Sequence, residues 1–381
     1  MADPKPTILL IGLGHLGGVL LEFLAREEWI GRVVGCSRGR TRGEARCNLA
    51  RLGAIAQGLA PTVEYRQVDI SRQSEVAELL DSVQPDLVIS TATMQTWWLP
   101  ALLPPEARTR LEQASFGMWL PLHLAPTLAL MQSLATSSYA GPVLTAPFPD
   151  VVNCVLGKIG LTPTCGIGNI DELVAKVRWM TARRLGAPLE NIEAVMVGHH
   201  ALESAVFSGR TSEVPPYFLT ITHEGVDVSE SLPVDEILLA PAPLPAGPDT
   251  AFFTTGSALR LIRAILAEQD SLLHAPAPSG LPGGYPVVVG RRRVDNAPIA
   301  GLELVEAVDI NERSHRFDGI EAVRDDGTVV FVAESVDVMC TELGYDCPQL
   351  APADAADRGL ELINRFREYA GRHGVDLNRA V

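Results

Sequence analysis

The sequence predicts an α/β protein, a doubly wound parallel sheet followed by an α+β part with antiparallel strands. Three observations carry this. Short apolar runs alternate with helical stretches as far as Thr145. A glycine-rich turn joins the first run to the first helical stretch. From Glu193 onward the texture changes to alternating, turn-rich segments.

Taken in order, Thr7 to Ile11 is apolar and runs into glycine, which reads as a buried parallel strand. Apolar residues then recur at helical spacing from Leu16 to Arg26. Arg32 to Cys36 and Val63 to Val68 read as the second and third strands, Ser74 to Val83 as a helix, and Asp86 to Ser90 as a fourth strand. Ala114 to Leu134 is long and mostly apolar but holds Pro121 and Pro126, so it reads as a helix started or kinked at a proline. Pro142 to Thr145 is the strand after it. A join near Asp150 would divide a dinucleotide-binding domain, 1–150, from a catalytic, substrate and oligomerisation domain, 151–381.

In the second part, Asn169 to Leu185 reads as a helix. Asn169 stands as its N-cap, Glu172 in capping-box position and Gly186 as its stop. Glu193 to Gly198 is strand-like, Pro215 to Ile237 suggests antiparallel strands, and Pro241 to Pro248 is a surface loop. Ser257 to Glu268 is helical, Ser279 to Pro286 is a glycine–proline loop, and Asp357 to Gly371 is a final amphipathic helix.

Composition narrows the function. The net charge of -15 repels nucleic acid and anionic membranes, so neither is expected as a partner, and basic clusters become informative. The six cysteines form no CxxC pair, which argues against a zinc ribbon or disulfide framework and for a reducing, cytoplasmic setting. Met1 to Pro6 lacks the layout of a signal peptide, and the run Ile8 to Leu13 is far shorter than the ~20 residues of a membrane span.

Gly12-Leu13-Gly14-His15-Leu16-Gly17 places GxGxxG between a strand and a helix. Gly12 permits the tight turn, Gly14 the close approach of a pyrophosphate, and Gly17 the packing of helix on sheet. The phosphates would sit at the positive end of the helix dipole, as in a Rossmann sheet. Thr91 and Ala92, after the fourth strand, complete this candidate set. The alternative is a glycine-rich turn without a ligand. At the end of the second strand stands Ser37-Arg38-Gly39-Arg40-Thr41-Arg42, with no acid to hold ribose hydroxyls. Ser37, Arg38 and Arg40 therefore point to the 2'-phosphate of NADP, with NAD as the alternative cofactor. The other reading of the arginines is a solvated basic turn.

Further patches resemble the lactate/malate dehydrogenase superfamily. Arg42-Gly43-Glu44-Ala45-Arg46-Cys47-Asn48-Leu49 is similar to its GEAxDL stretch. Asn169-Ile170-Asp171, Lys176-Val177-Arg178, Leu185-Gly186 and Val197-Gly198-His199-His200 follow the order of its LD, RxR, LG and GxHG segments. Thr255-Gly256-Ser257-Ala258 and Gly283 to Val287 resemble later segments. The resemblance implies an NAD(P)-dependent dehydrogenase or reductase acting on a small molecule, built as a homodimer or homotetramer; with Ser37, Arg38 and Arg40 the expectation is NADP. It implies His200 as the proton carrier, Asp171 as its orienting carboxylate, and substrate contacts from Lys176, Arg178, His199, Trp97, Thr255 and Ser257. Imidazole suits the task because its pKa lies near neutrality.

The departures are specific. Counted back from Leu185-Gly186, Asp171 lies two residues upstream of the family's position, and the substrate-clamping arginine becomes Lys176. Thr93 to Pro100 replaces an arginine-bearing mobile loop, its Trp97-Trp98 pair being either a lid or core, and Ala146-Pro147 replaces asparagine-proline. These argue for a substrate larger or less acidic than lactate or malate. The superfamily also resembles metal-dependent, NAD-using glycosidases, for which Cys165 and His200, with Asn153, would be the ligands. A third class is a non-catalytic NADP sensor.

Overall fold

The computed structural model describes residues 5–209, 213–245 and 247–377; the segment Met1 to Pro4 lies outside them. β1 (Thr7–Ile11) leads into α1 (His15–Leu24), followed by β2 (Arg32–Ser37), α2 (Arg40–Ala56), β3 (Val63–Gln67), α3 (Gln73–Val83) and β4 (Leu87–Ser90). α4 (Pro105–Glu112), α5 (Leu120–Leu134), β5 (Val143–Thr145), α6 (Pro149–Lys158) and β6 (Cys165–Gly166) complete the sheet. Its strand order is β3-β2-β1-β4-β5-β6, parallel throughout. The strands reverse order between β1 and β4, which opens a crevice at their carboxyl ends.

Both faces of this sheet are covered, which is why the central strands β1 and β4 are largely apolar, whereas the edge strand β3 carries Glu64, Arg66 and Gln67. Leu9, Ile11, Val34 and Val88 face α3, α5 and α6. Ile8, Leu10, Val33 and Ile89 face α1, α2 and a later helix. The alternation along β1 is the two-residue period of a strand.

The sheet does not stop at Thr145. Cys165 and Gly166 pair with Leu144 and Thr145, so Asp150 lies in α6, between two strands of one sheet. The join expected near Asp150 therefore falls beyond Gly166. A two-residue strand leaves no hydrophobic period in the sequence. α2 was equally hidden. Its buried stripe is Gly43, Cys47, Ala50 and Ala54, while Leu49, Leu52 and Ile55 face outward.

The second half begins with α7 (Ile170–Leu185), β7 (Ile192–Val197) and α8 (His200–Ser208). β8 (Phe218–His223) and β9 (Val226–Asp227) form an antiparallel sheet with β7, but Val234–Leu239 is a helix, α9, rather than further strand. α10 (Ala251–Leu266) packs on α1, and β10 (Ser271–Pro276), β11 (Gly284–Gly290) and β12 (Arg293–Asn296) form a second antiparallel sheet. α11 (Leu304–Ser314) runs into a 3₁₀ turn, His315–Asp318. β13 (Ile320–Val323), β14 (Val329–Phe331), α12 (Ala333–Leu343), β15 (Gln349–Leu350) and α13 (Ala355–Arg372) follow. Leu362 and Phe366 of α13 share a core with Leu120 and Leu124 of α5. The last segment thus belongs to the core of the first half, not to a separate carboxyl-terminal domain. Among the described residues no single helix is long and apolar enough to cross a membrane.

Candidate active site

The glycine loop is shaped as its spacing predicts. Gly12 has φ of +99°, and a Cβ there would lie 2.7 Å from the Ala92 backbone nitrogen. A Cβ on Gly17 would overlap the Gly12 carbonyl. Both glycines let α1 seat against the strand ends. A Cβ on Gly14, by contrast, would meet nothing within 4 Å. Gly14 is exposed at the N-terminus of α1, where no side chain caps the helix. His15 and Leu16 follow it, and the His15 Nε2 has no hydrogen-bond partner. Thr91 Oγ1 donates to the Gly12 carbonyl at 2.6 Å, tying the loop to the end of β4. The residues present therefore fit a dinucleotide pyrophosphate, which needs free backbone donors and an open approach.

At the end of β2 the hydroxyls of Ser37 and Tyr65 lie 3.3 Å apart, and Tyr65 also donates to the Ser37 carbonyl at 3.0 Å. Tyr65 packs on Gly43, and Gln67 donates to the Arg38 carbonyl at 3.0 Å, so β3 braces the turn. Arg38 is exposed there. Arg40 is the first residue of α2 and pairs with Glu44 at 2.9 Å, which leaves Arg38 the better placed of the two for a phosphate.

His200 is the first residue of α8. Its backbone N–H donates to Asp150 Oδ1 at 3.0 Å, and its Nδ1 lies 2.8 Å from Asp318 Oδ2. His199 is the N-cap, its Nδ1 accepting from the Ala201 N–H and lying 3.3 Å from the same Asp318 oxygen. His315 packs edge-on to His199 with ring centroids 4.9 Å apart. Phe116 and Phe148 enclose His200 at centroid distances of 4.8 and 4.9 Å, with His123 behind Phe116 at 5.4 Å.

Three residues at this site have positive φ without being glycine. Ser115 (+62°) precedes Phe116, Phe148 is at +46°, and Asn169 (+46°) donates through Nδ2 to Asp150. Such strain persists only where packing over-determines it, and it concentrates at functional sites. It also explains why Asn169 does not cap α7 and why no capping box forms with Glu172; Gly186 does end the helix, at φ +65°.

Burial works against a charged His200, but the Asp318 carboxylate, with Glu203 and Asp150, more than reverses this and holds its pKa at about 9. Burial alone would raise Asp318, yet His200 and His199 hold it well below the usual carboxylate range. Burial lowers His315 and His123 to about 3. Burial, with Asp150 and Asp318 nearby, raises Glu203 to about 7 despite His200. The arrangement is an imidazolium with Nδ1 committed to a carboxylate, so only Nε2 can address a substrate.

The carboxylate that meets the His200 ring is therefore Asp318, not the Asp171 expected from the sequence. Asp171 pairs with Arg260 at 3.1 Å and interacts with Ser257, on the flank of α7 facing α10. Lys176 is buried and donates to the Leu238 carbonyl, and burial lowers its pKa to about 8. Arg178 donates to the carbonyls of Ile192 at 2.7 Å and Leu189 at 3.3 Å, pinning α7 to β7. Neither cation is free to clamp a substrate carboxylate. Thr255 is buried with its hydroxyl unpartnered, Trp97 is 53% exposed, and Trp98 packs against the core.

Cys165 is buried among Leu144, Ile167 and Ala275, where burial raises its thiol pKa and disfavours the thiolate a metal needs. Asn153 Oδ1 accepts from Thr145 at 2.8 Å. Among the described residues no group of three His, Cys, Asp or Glu side chains is placed to hold a metal. A cavity of about 240 Å³ lined by Lys5, Glu27 and Pro61 lies at the opposite, amino-terminal end of the strands.

Asp318, Asp150, Phe116, Phe148 and Tyr65 escaped the sequence reading because each lies far along the chain from its partner. Glu203 carried a readable signal, standing three residues after His200 on one helix.

No family model matches the chain, and no curated protein matches it in sequence. Solved structures do match it in fold. Lactate dehydrogenase from Eimeria maxima with NADH and oxamate superposes with a TM-score of 0.57 at 14% identity, over 83% of this chain and 92% of that one. Malate dehydrogenase from Plasmodium falciparum in complex with NADH gives 0.54 at 15%, over 82% and 95%. Malate dehydrogenase from Picrophilus torridus gives 0.55 at 14%, over 82% and 96%. The chain is a divergent example of the lactate/malate dehydrogenase fold.

Proposed function

From that fold, we propose that the protein is an NADP-dependent oxidoreductase that transfers a hydride between the nicotinamide and a hydroxyl or carbonyl carbon of a small molecule other than lactate or malate. The observation that carries this reading is the His200–Asp318 pair, placed at the same end of the parallel sheet as the glycine loop. His200 rests on Phe148 and Asp150, which follow β5, and Gly12 and Thr91 follow β1 and β4. All sit at the carboxyl ends of the parallel strands, where such sheets bind their ligands.

Gly12, Gly14, His15, Leu16 and Gly17 would hold the pyrophosphate, with Thr91 and Ala92 on the far wall, and Ser37 and Arg38 would meet the 2'-phosphate. Bound there, the nicotinamide supplies the hydride acceptor or donor. Asp318 orients the His200 ring and stabilises its protonated form. With a pKa of about 9, His200 carries a proton at neutral pH, so the free protein is poised to protonate a carbonyl oxygen as it is reduced. Phe116 and Phe148 exclude water from the ring.

The substrate is set apart from lactate and malate because Lys176 and Arg178 are engaged in structural bonds. We also propose self-association through α2, whose Leu49, Leu52 and Ile55 form an exposed apolar stripe. The test of function is NADPH oxidation against a panel of carbonyl compounds with the native protein and His200→Asn. Asn keeps a donor near the Nδ1 position for Asp318 but has no proton to deliver. Turnover that survives the substitution would reject the assignment.

A further inference from the structure

We propose that Phe116 is a positioning residue for His200: its ring holds the plane of the imidazolium by a cation–π stack, and the 3₁₀ turn that carries it, Phe116–Trp119, is locked to the turn that carries Asp318. This deepens the dehydrogenase reading above and rests on it.

The ring geometry is direct. Phe116 and His200 lie with centroids 4.8 Å apart and planes 33° from parallel, within the ~6 Å over which a cation is held on a ring face. His123, from α5, lies against Phe116 at 5.4 Å and 32°. Burial lowers the His123 pKa to about 3 and keeps it neutral, so of these two imidazoles only His200 brings a charge to Phe116. Phe148 stands at 90° to Phe116 with centroids 4.9 Å apart, an edge-to-face contact that fixes the Phe116 plane.

The backbone ties this ring to Asp318. A Cβ on Gly117 would overlap the Asp318 carbonyl oxygen and lie 2.8 Å from the Ile320 side chain. Conversely, a Cβ on Gly319, at φ +78°, would lie 3.0 Å from the Ser115 Cβ and 3.3 Å from the Ala114 carbonyl oxygen. The two segments meet this closely because each puts a glycine at the contact. Ser115 turns the chain into Phe116 at φ +62° and ψ 163°, a region almost reserved for glycine and held only where the surroundings over-determine it. The carboxylate that meets His200 Nδ1 and the ring that covers His200 therefore arrive as one unit.

No other neighbour does the same work. Against burial, Asp318 is the largest attraction on His200, joined by Glu203 on α8 and Asp150 from α6. Glu172 from α7 and His123 also act on it, and His199 shares the Asp318 oxygen. These groups bear on the charge of His200. A single hydrogen bond at Nδ1 leaves the ring free to turn about that bond, whereas a face contact does not. Phe116 supplies this second constraint, and with it Nε2 keeps one direction.

The experiment follows His200 by NMR titration of the histidines in the full-length, cofactor-free protein, with His200→Asn assigning the signal. Phe116→Leu keeps apolar bulk and removes the ring face; Phe116→Tyr keeps the face. Phe116→Leu should lower the His200 titration midpoint by about 0.5–1 pH unit, and Phe116→Tyr should hold it. Replacing Phe116 by 3,5-difluoro- and then pentafluorophenylalanine keeps the ring and drains negative charge from its face. The midpoint should fall stepwise along that series, which decides the matter if Phe116→Leu does not fold. A midpoint unmoved by leucine, or unmoved by the fluorinated rings, would overturn the proposal. NADPH oxidation by the same variants separates the two readings: kcat should fall with the midpoint while KM for NADPH is kept. A native protein that reduces no carbonyl compound rejects the dehydrogenase reading and leaves the role of Phe116, measured without cofactor, standing.

Discussion

Asp318 Oδ2 lies 2.8 Å from His200 Nδ1, joining residues 118 apart in the chain. The 3₁₀ turn that carries Asp318 is held by the segment that returns to pack on the first half, so the geometry of His200 depends on the last quarter of the fold.

Asp318→Asn should remove the main source of the raised His200 pKa. The pH limb of kcat/KM governed by His200 should then move to lower pH, and kcat should fall by roughly 10²–10⁴. Asp171→Asn should leave that limb in place and cost only about 1 kcal/mol of stability, since its partner Arg260 is half exposed. If Asp171 rather than Asp318 moves the pH profile, the assignment of the carboxylate is reversed.

NADPH should bind at least ~10-fold more tightly than NADH, because a charge-assisted contact worth about 1.4 kcal/mol suffices. Arg38→Ala should erase most of this preference. Arg40→Ala should erase less, because Arg40 is engaged with Glu44. Calorimetric titration decides it, and equal affinities in the native protein would remove the NADP reading.

Thermal stability should fall as pH rises from about 6.5 to about 9. A histidine whose folded pKa is raised contributes fully below its unfolded pKa and loses that contribution as pH passes through the folded value. Glu203, raised from 4.5 to about 7 by burial and by Asp150 and Asp318, adds a penalty of the same sign that develops as pH rises through about 7, which His200 only partly offsets. Glu203→Gln should therefore flatten the curve near neutrality. A melting temperature that rises over this range would contradict the electrostatics of the cluster.

If α2 mediates self-association, Leu52→Glu should shift the protein to a smaller species in sedimentation while leaving NADPH affinity unchanged. Leu52 is 63% exposed, so the substitution costs the protomer little. An unaltered sedimentation profile would exclude α2 as the contact.

The sequence alone determined the parallel sheet, because strands buried on both faces must be written as apolar runs, as β1 and β4 are. It determined the glycine loop, because Gly12 and Gly17 tolerate no side chain where they stand. It also marked His200, though only through a patchy resemblance. Tertiary structure decided the rest. β6 is too short to leave a period, and the buried stripe of α2 is made of small residues that read as polar helix or turn. Asp171 and Asp318 are equally plausible carboxylates in a string of letters. Which of them reaches an imidazole is a matter of distance, and proximity across 118 residues is created only when the last segment folds back on the first.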